Sequence, residues 1–140
     1  MSKKKILILN GVNLGELGSR EVNIYGNVTF EEYLSTLKTK YSEYELSYFQ
    51  SNRIEDMIET IYQHKHYDGI IINPGAYTHT SVILADAIKA ISVKVVEVHI
   101  SNLFAREQFR RKSLIASTCQ GSISGFGLKG YELALLSFND

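Results

Sequence analysis

Three short apolar runs, Ile6 to Leu9, Gly69 to Ile72 and Val93 to Ile100, constrain the fold of this chain more than any other feature. They are rich in isoleucine and valine and bounded by glycine, asparagine or serine. None shows the strict alternation of a half-exposed strand, so they read as strands buried on both faces. Between them lie helical patterns with recognisable starts. Thr29 with Glu32, and Asn52 with Glu55, have capping-box spacing. Apolar residues then recur at helical intervals, as Phe30, Tyr33, Leu34 and Leu37 and again as Ile54, Met57, Ile58 and Ile61. Tyr44 to Phe49 and Gly121 to Ser124 add two further strands, and Tyr131 to Phe138 closes the chain as a helix.

Strand and helix alternating from end to end predict an α/β fold. The expected form is a flavodoxin-like three-layer sandwich, a five-stranded parallel sheet with helices on both faces and right-handed crossovers. At 140 residues the chain suits one domain, spanning residues 1–140, with one site. Residues 11–28 are too long and glycine-rich for an ordinary strand-to-helix connection and read as a lid loop. Fifteen basic residues balance fifteen acidic ones, so no net field draws the protein to nucleic acid or to an anionic membrane. Neutrality favours self-association. The single cysteine, Cys119, allows no internal disulfide and suits a reducing compartment. Lys3 to Lys5 look like the basic start of a signal peptide, but the apolar run after them stops at Asn10 and no small-residue cleavage site follows. No apolar stretch approaches the roughly 20 residues needed to span a bilayer. The expected location is the cytoplasm.

Open sheets of this kind bind ligands beyond the carboxyl ends of their strands. The polar residues there are Asn10, Gly11 and Asn13; Gln50, Ser51 and Asn52; Asn73 through Thr80; and His99, Ser101 and Asn102. Such a set suits a small hydroxylated or carboxylated molecule better than an apolar one. Several familiar functions of the fold are excluded. Gly11, Gly15 and Gly18 lack the spacing of a dinucleotide-binding loop. Asn10 and Asn73 stand where a magnesium-binding receiver would need carboxylates. Gly121 to Gly125 has isoleucine at its centre, so it is not a nucleophile elbow; small-residue strand packing accounts for it. His64 and His66 fall near a helix end, where an imidazolium suits the dipole better than a metal site does.

The run Asn73-Pro74-Gly75-Ala76-Tyr77-Thr78-His79-Thr80-Ser81, then Glu97-Val98-His99-Ile100-Ser101-Asn102 and Ala105-Arg106-Glu107, resembles the signature of the type II 3-dehydroquinate dehydratases. Asn10 through Leu14, Leu17-Gly18-Ser19-Arg20-Glu21 and Tyr25-Gly26 resemble the catalytic loop of that family, and Gln50-Ser51-Asn52 and Gly130-Tyr131 also fit. The likeness runs in order over nearly the whole chain. Val12 and Val22 depart from it, standing where the family usually has proline, which bears on the stiffness of the loop.

The resemblance implies a hydro-lyase of the shikimate pathway, and so of aromatic amino acid biosynthesis. It would convert 3-dehydroquinate to 3-dehydroshikimate by anti elimination through an enolate, with no metal and no cofactor. Such a reaction needs a base, an enolate stabiliser and an acid. By resemblance Tyr25 is the base. An ordinary tyrosine titrates near ~10, and Arg20 is the cation that would favour its phenolate. His99 matches the general acid, and Glu97, two residues earlier on one strand, should emerge on the same face to orient the imidazole. Asn13 matches the residue holding a water on the enolate oxygen; a left-handed turn conformation at this asparagine is compatible with that role.

Asn73, Ile100 and Ser101 match the residues that hold the substrate carboxylate, while His79 and Arg110 match those that bond ring hydroxyls. Arg106 matches a second arginine near the loop, and Arg111 reads as part of a solvated face. Asp86, seven positions after His79, would lie two helical turns along the same face. In the family this aspartate reaches a neighbouring subunit, which implies a homo-oligomer, a dodecamer built from trimers. Two other readings stay open on the residues: a binding module without catalysis on the same scaffold, and a metal-dependent lyase using His79, Glu97 and His99.

Overall fold

The computed structural model describes residues 2–14 and 29–139. Strand β1 (Lys4–Asn10) is followed by helix α1 (Phe30–Lys40), β2 (Tyr44–Gln50), α2 (Ile54–Gln63), β3 (Gly69–Asn73), α3 (Val82–Lys89), β4 (Val95–His99), β5 (Gly121–Ser124) and α4 (Lys129–Leu136). Short 3-10 turns at Gly75–His79, Leu103–Ala105 and Gln108–Arg111 fill the connections after β3 and β4. The strands pair in parallel in the order β2-β1-β3-β4-β5, the flavodoxin-like arrangement expected.

The unbroken apolar runs have a direct cause. In β1, Ile6 and Ile8 join the core shared with Phe30, Leu34 and Leu37 of α1 and with Tyr131, Ala134 and Leu135 of α4. Leu7 and Leu9 point the other way, into the core formed with Met57 and Ile61 of α2 and Leu84 and Ile88 of α3. Each central strand therefore needs apolar residues at every position. Strands β1, β2 and β3 also run on to the polar residue beyond their apolar runs. Backbone pairing tolerates any side chain, so Asn10 lies in register with both Gln50 and Asn73. Val93 and Lys94 precede β4, which begins at Val95 opposite Ile70.

One helix start matches its spacing and one does not. Thr29 caps α1, its hydroxyl accepting the Glu32 N–H at 3.2 Å. At α2 the helix begins after Arg53, without a side-chain cap. The Asn52 carboxamide oxygen instead accepts the Asn13 N–H at 2.9 Å and a Gln50 side-chain N–H at 3.1 Å. Asn52 is drawn into the loops above the sheet, and those bonds compete with helix capping.

The strand order reverses direction between β1 and β3, and there the loops above the two strands meet backbone to backbone. Gly11 donates its N–H to the Asn73 carbonyl at 2.7 Å. A Cβ on Gly11 would lie 2.4 Å from the Pro74 carbonyl oxygen. Gly75 sits at φ 65°, and a Cβ there would lie 2.6 Å from the Val12 carbonyl oxygen. The close approach requires both glycines.

Candidate active site

At the carboxyl end of β4, Glu97 and His99 share one face of the strand, as two-residue spacing dictates. His99 Nε2 lies 2.5 Å from Glu97 Oε2, and both side chains are almost wholly buried, 6% and 1% exposed respectively. Ser113 donates its hydroxyl to Glu97 Oε2 at 2.7 Å, and Ser122, the β5 register partner of Glu97, donates to Oε1 at 2.7 Å. Burial by itself would raise the Glu97 carboxyl. The bond and charge of His99, with the two serine hydroxyls, outweigh it and hold the group below the usual carboxylate range. An ionised Glu97 accepts from Nε2 and fixes the orientation of the imidazole.

Glu97 should also govern acid stability. A carboxyl lowered in the folded state adds stability that is complete above its unfolded value, near ~4.3, and drains away as pH falls through the folded value. The urea midpoint is therefore expected to fall below about pH 4, and the Glu97→Gln variant to show a shallower fall over that range. Equal slopes in the two proteins would show that Glu97 is not the group responsible.

His79 stacks near His99, with ring centroids 6.4 Å apart and planes at 23°. Its Nδ1 lies 2.7 Å from the Lys112 carbonyl, which can only accept, so Nδ1–H donates and fixes the ring orientation. Phe109 meets His79 edge-on at 6.3 Å, while the Arg110 guanidinium lies 4.9 Å from the centre of the Phe109 ring. Glu107 holds Arg110 Nε at 3.2 Å. Phe109 thus links the two residues expected to bond ring hydroxyls. Ser101 accepts from Arg106 at 3.3 Å. Ile100 is buried, its carbonyl taking the Gly127 N–H at 3.0 Å. Asn13 has φ 68°, the left-handed conformation its turn position called for.

Asn73 ends β3 with its amide held at both ends: Nδ2 donates to the Tyr131 hydroxyl at 2.9 Å and Oδ1 accepts the Gly75 N–H at 3.2 Å. Asp86 is exposed on α3. The reading that ran His79 and Asp86 along one helix is corrected, because His79 ends a separate 3-10 turn and Ser81 caps a new helix through the Leu84 N–H at 3.1 Å. Tyr25 and Arg20 lie outside the described residues, as does most of the loop 11–28. His64 takes the position after the last residue of α2, with Nδ1 2.7 Å from the Thr60 carbonyl. Among the described residues, no three His, Cys, Asp or Glu side chains are grouped to hold a metal ion, and no helix is long and apolar enough to cross a membrane.

Ser113 and Ser122 went unrecognised in the sequence. Strand packing of small residues does not account for Gly121 and Ser122: the glycine faces open space, and the serine holds Glu97. Only the β4–β5 register could have revealed that. Cys119 carries no comparable chemistry, since burial, aided by the Glu97 charge, pushes its thiol up to about 12.

The fold and site together define a doubly wound α/β protein that sets a carboxylate-anchored histidine among amide, hydroxyl and guanidinium groups, an arrangement for acid–base chemistry on a small polar molecule. The family model described as Dehydroquinase class II matches residues 4–139. A 3-dehydroquinate dehydratase from Caldicellulosiruptor bescii is 50% identical, with 98% of this chain and 97% of that protein covered. The crystal structure of type II dehydroquinase from Butyrivibrio crossotus superposes with a TM-score of 0.95 at 43% identity, covering 99% of each chain. That of Propionibacterium acnes superposes with a TM-score of 0.91 at 40% identity, covering 96% of this chain and 94% of that one. The chain belongs to the class II dehydroquinase family.

Proposed function

We propose that the protein removes water from 3-dehydroquinate to give 3-dehydroshikimate, a step of the shikimate pathway, by anti elimination through an enolate. The observation that carries this reading is the buried Glu97–His99 pair at the carboxyl end of β4, in a chain matched to the family over residues 4–139. Tyr25, its phenolate favoured by Arg20, takes a proton from the carbon beside the ketone. The electron pair passes into the carbonyl as an enolate. When the enolate collapses, the bond to the hydroxyl on the next carbon breaks, and His99 delivers the proton that makes it water. Asn13 holds a water against the enolate oxygen.

Asn73, Ile100 and Ser101 receive the carboxylate; His79 and Arg110 receive ring hydroxyls. The contact of both His79 and Arg110 with the Phe109 ring supports that pairing. Residues 11–28 act as a lid carrying the base. The surface position of Asp86 on α3 suits reach into a neighbouring subunit of a dodecamer built from trimers. The enzyme works in the cytoplasm, and neither metal nor cofactor takes part.

Purified protein mixed with 3-dehydroquinate is expected to raise the ultraviolet absorbance of the conjugated enone, equally with and without chelator. Tight binding of the substrate with no rise in absorbance would leave a binding module and defeat the proposal. Loss of the signal to chelator would move the chemistry to a metal.

A further inference from the structure

One buried hydroxyl connects the ends of the two strands at the switch point. Tyr131, on the first turn of α4, is fully buried, with its ring against Phe30 at 4.9 Å and Tyr33 at 6.3 Å. Its hydroxyl donates to Asn10 Oδ1 at 2.7 Å and accepts from Asn73 Nδ2 at 2.9 Å. Asn10 and Asn73 are register partners on β1 and β3.

A phenolic hydroxyl has a single hydrogen. Once that hydrogen is given to Asn10, the oxygen can only accept from Asn73, so the nitrogen end of the Asn73 amide must face it. The opposite end agrees: the amide oxygen takes the Gly75 N–H where the chain turns toward His79. Asn73 Nδ2 keeps a second N–H, the donor suited to an anionic group beyond the strand end. A reversed amide would set its oxygen against that anion.

We propose that Tyr131 is a positioning residue for substrate binding, its hydroxyl fixing which end of the Asn73 amide faces the substrate carboxylate. This rests on the carboxylate-binding role proposed above for Asn73. Burial pushes the Tyr131 phenol far above its ordinary value, so the group stays a neutral hydroxyl and is not a second base.

The test is a double-mutant cycle of Tyr131→Phe and Asn73→Ala, read as KM, kcat and the dissociation constant of a ring carboxylic acid. Melting temperatures are recorded for each variant. Tyr131→Phe is expected to raise KM and that dissociation constant roughly three- to tenfold, the range of one neutral hydrogen bond, with kcat changed less than about twofold. The double variant should raise KM no further than Asn73→Ala alone, since both changes remove one interaction. A purely structural role would lower the melting temperature and leave KM unmoved, which overturns the proposal. If KM rises in Asn73→Ala but not in Tyr131→Phe, the proposal alone fails. If it rises in neither, Asn73 leaves the substrate site and takes the proposal with it. Should Tyr131→Phe not fold, Asn10→Ala frees the hydroxyl hydrogen to turn toward Asn73 and is expected to raise KM in the same way; an unchanged KM there overturns the proposal.

Discussion

Tyr25→Phe is expected to lower kcat by roughly a hundred- to ten-thousand-fold, the range of a lost general base, while a substrate-like ring acid still binds. Phenylalanine keeps the ring and removes only the oxygen proposed to accept the proton, so the loss should fall on the chemical step. Arg20→Ala is expected to lower turnover as well, and to move the acidic limb of the pH–rate profile upward, because a phenol without its cation ionises at higher pH. Steady-state kinetics across pH, together with calorimetric binding of the ring acid, checks both. Near-normal turnover in Tyr25→Phe would remove Tyr25 from the mechanism whatever the arginine does.

The second large effect concerns the other side of the ring. His99→Ala is expected to reduce kcat by about a hundredfold or more, the lower bound for a lost general acid. It should also cost roughly 3 kcal/mol of folding stability, since it leaves the Glu97 carboxylate buried without its imidazole partner. The two serine hydroxyls remain, which keeps the cost at the low end of that range. A substrate with a better leaving group than hydroxide should lose much less rate in this variant, because its departure needs less protonation. If His99→Ala slowed both substrates equally, the imidazole would be placed outside proton donation to the leaving group.

The architecture was legible because buried parallel strands leave a signal in every residue they contain. Ile6 to Leu9 and Gly69 to Ile72 have no polar position to confuse the pattern, and the structure sets them as neighbours at the centre of the sheet. The Glu97–His99 pair was legible because strand periodicity alone puts the two on one face. Contacts between elements were not legible. The Ser122 bond to Glu97 needs the β4–β5 register, and the Asn52 bonds need the positions of the loops after β1 and β2. The capping-box spacing at Asn52 misled for that reason: an asparagine has one carboxamide oxygen, and the loop took it. His79 and Asp86 looked like helix neighbours only while the 3-10 turn and the Ser81 cap between them went unseen.

The contact of Gly11 with Pro74, and of Gly75 with Val12, limits how the family scaffold can be diversified. Neither position admits even a methyl group, so a library that randomises these two loops would be depleted before selection for activity began. Substitutions in the connections after β4 are less constrained, since Phe104 and Phe109 expose their rings and can be exchanged without disturbing the sheet.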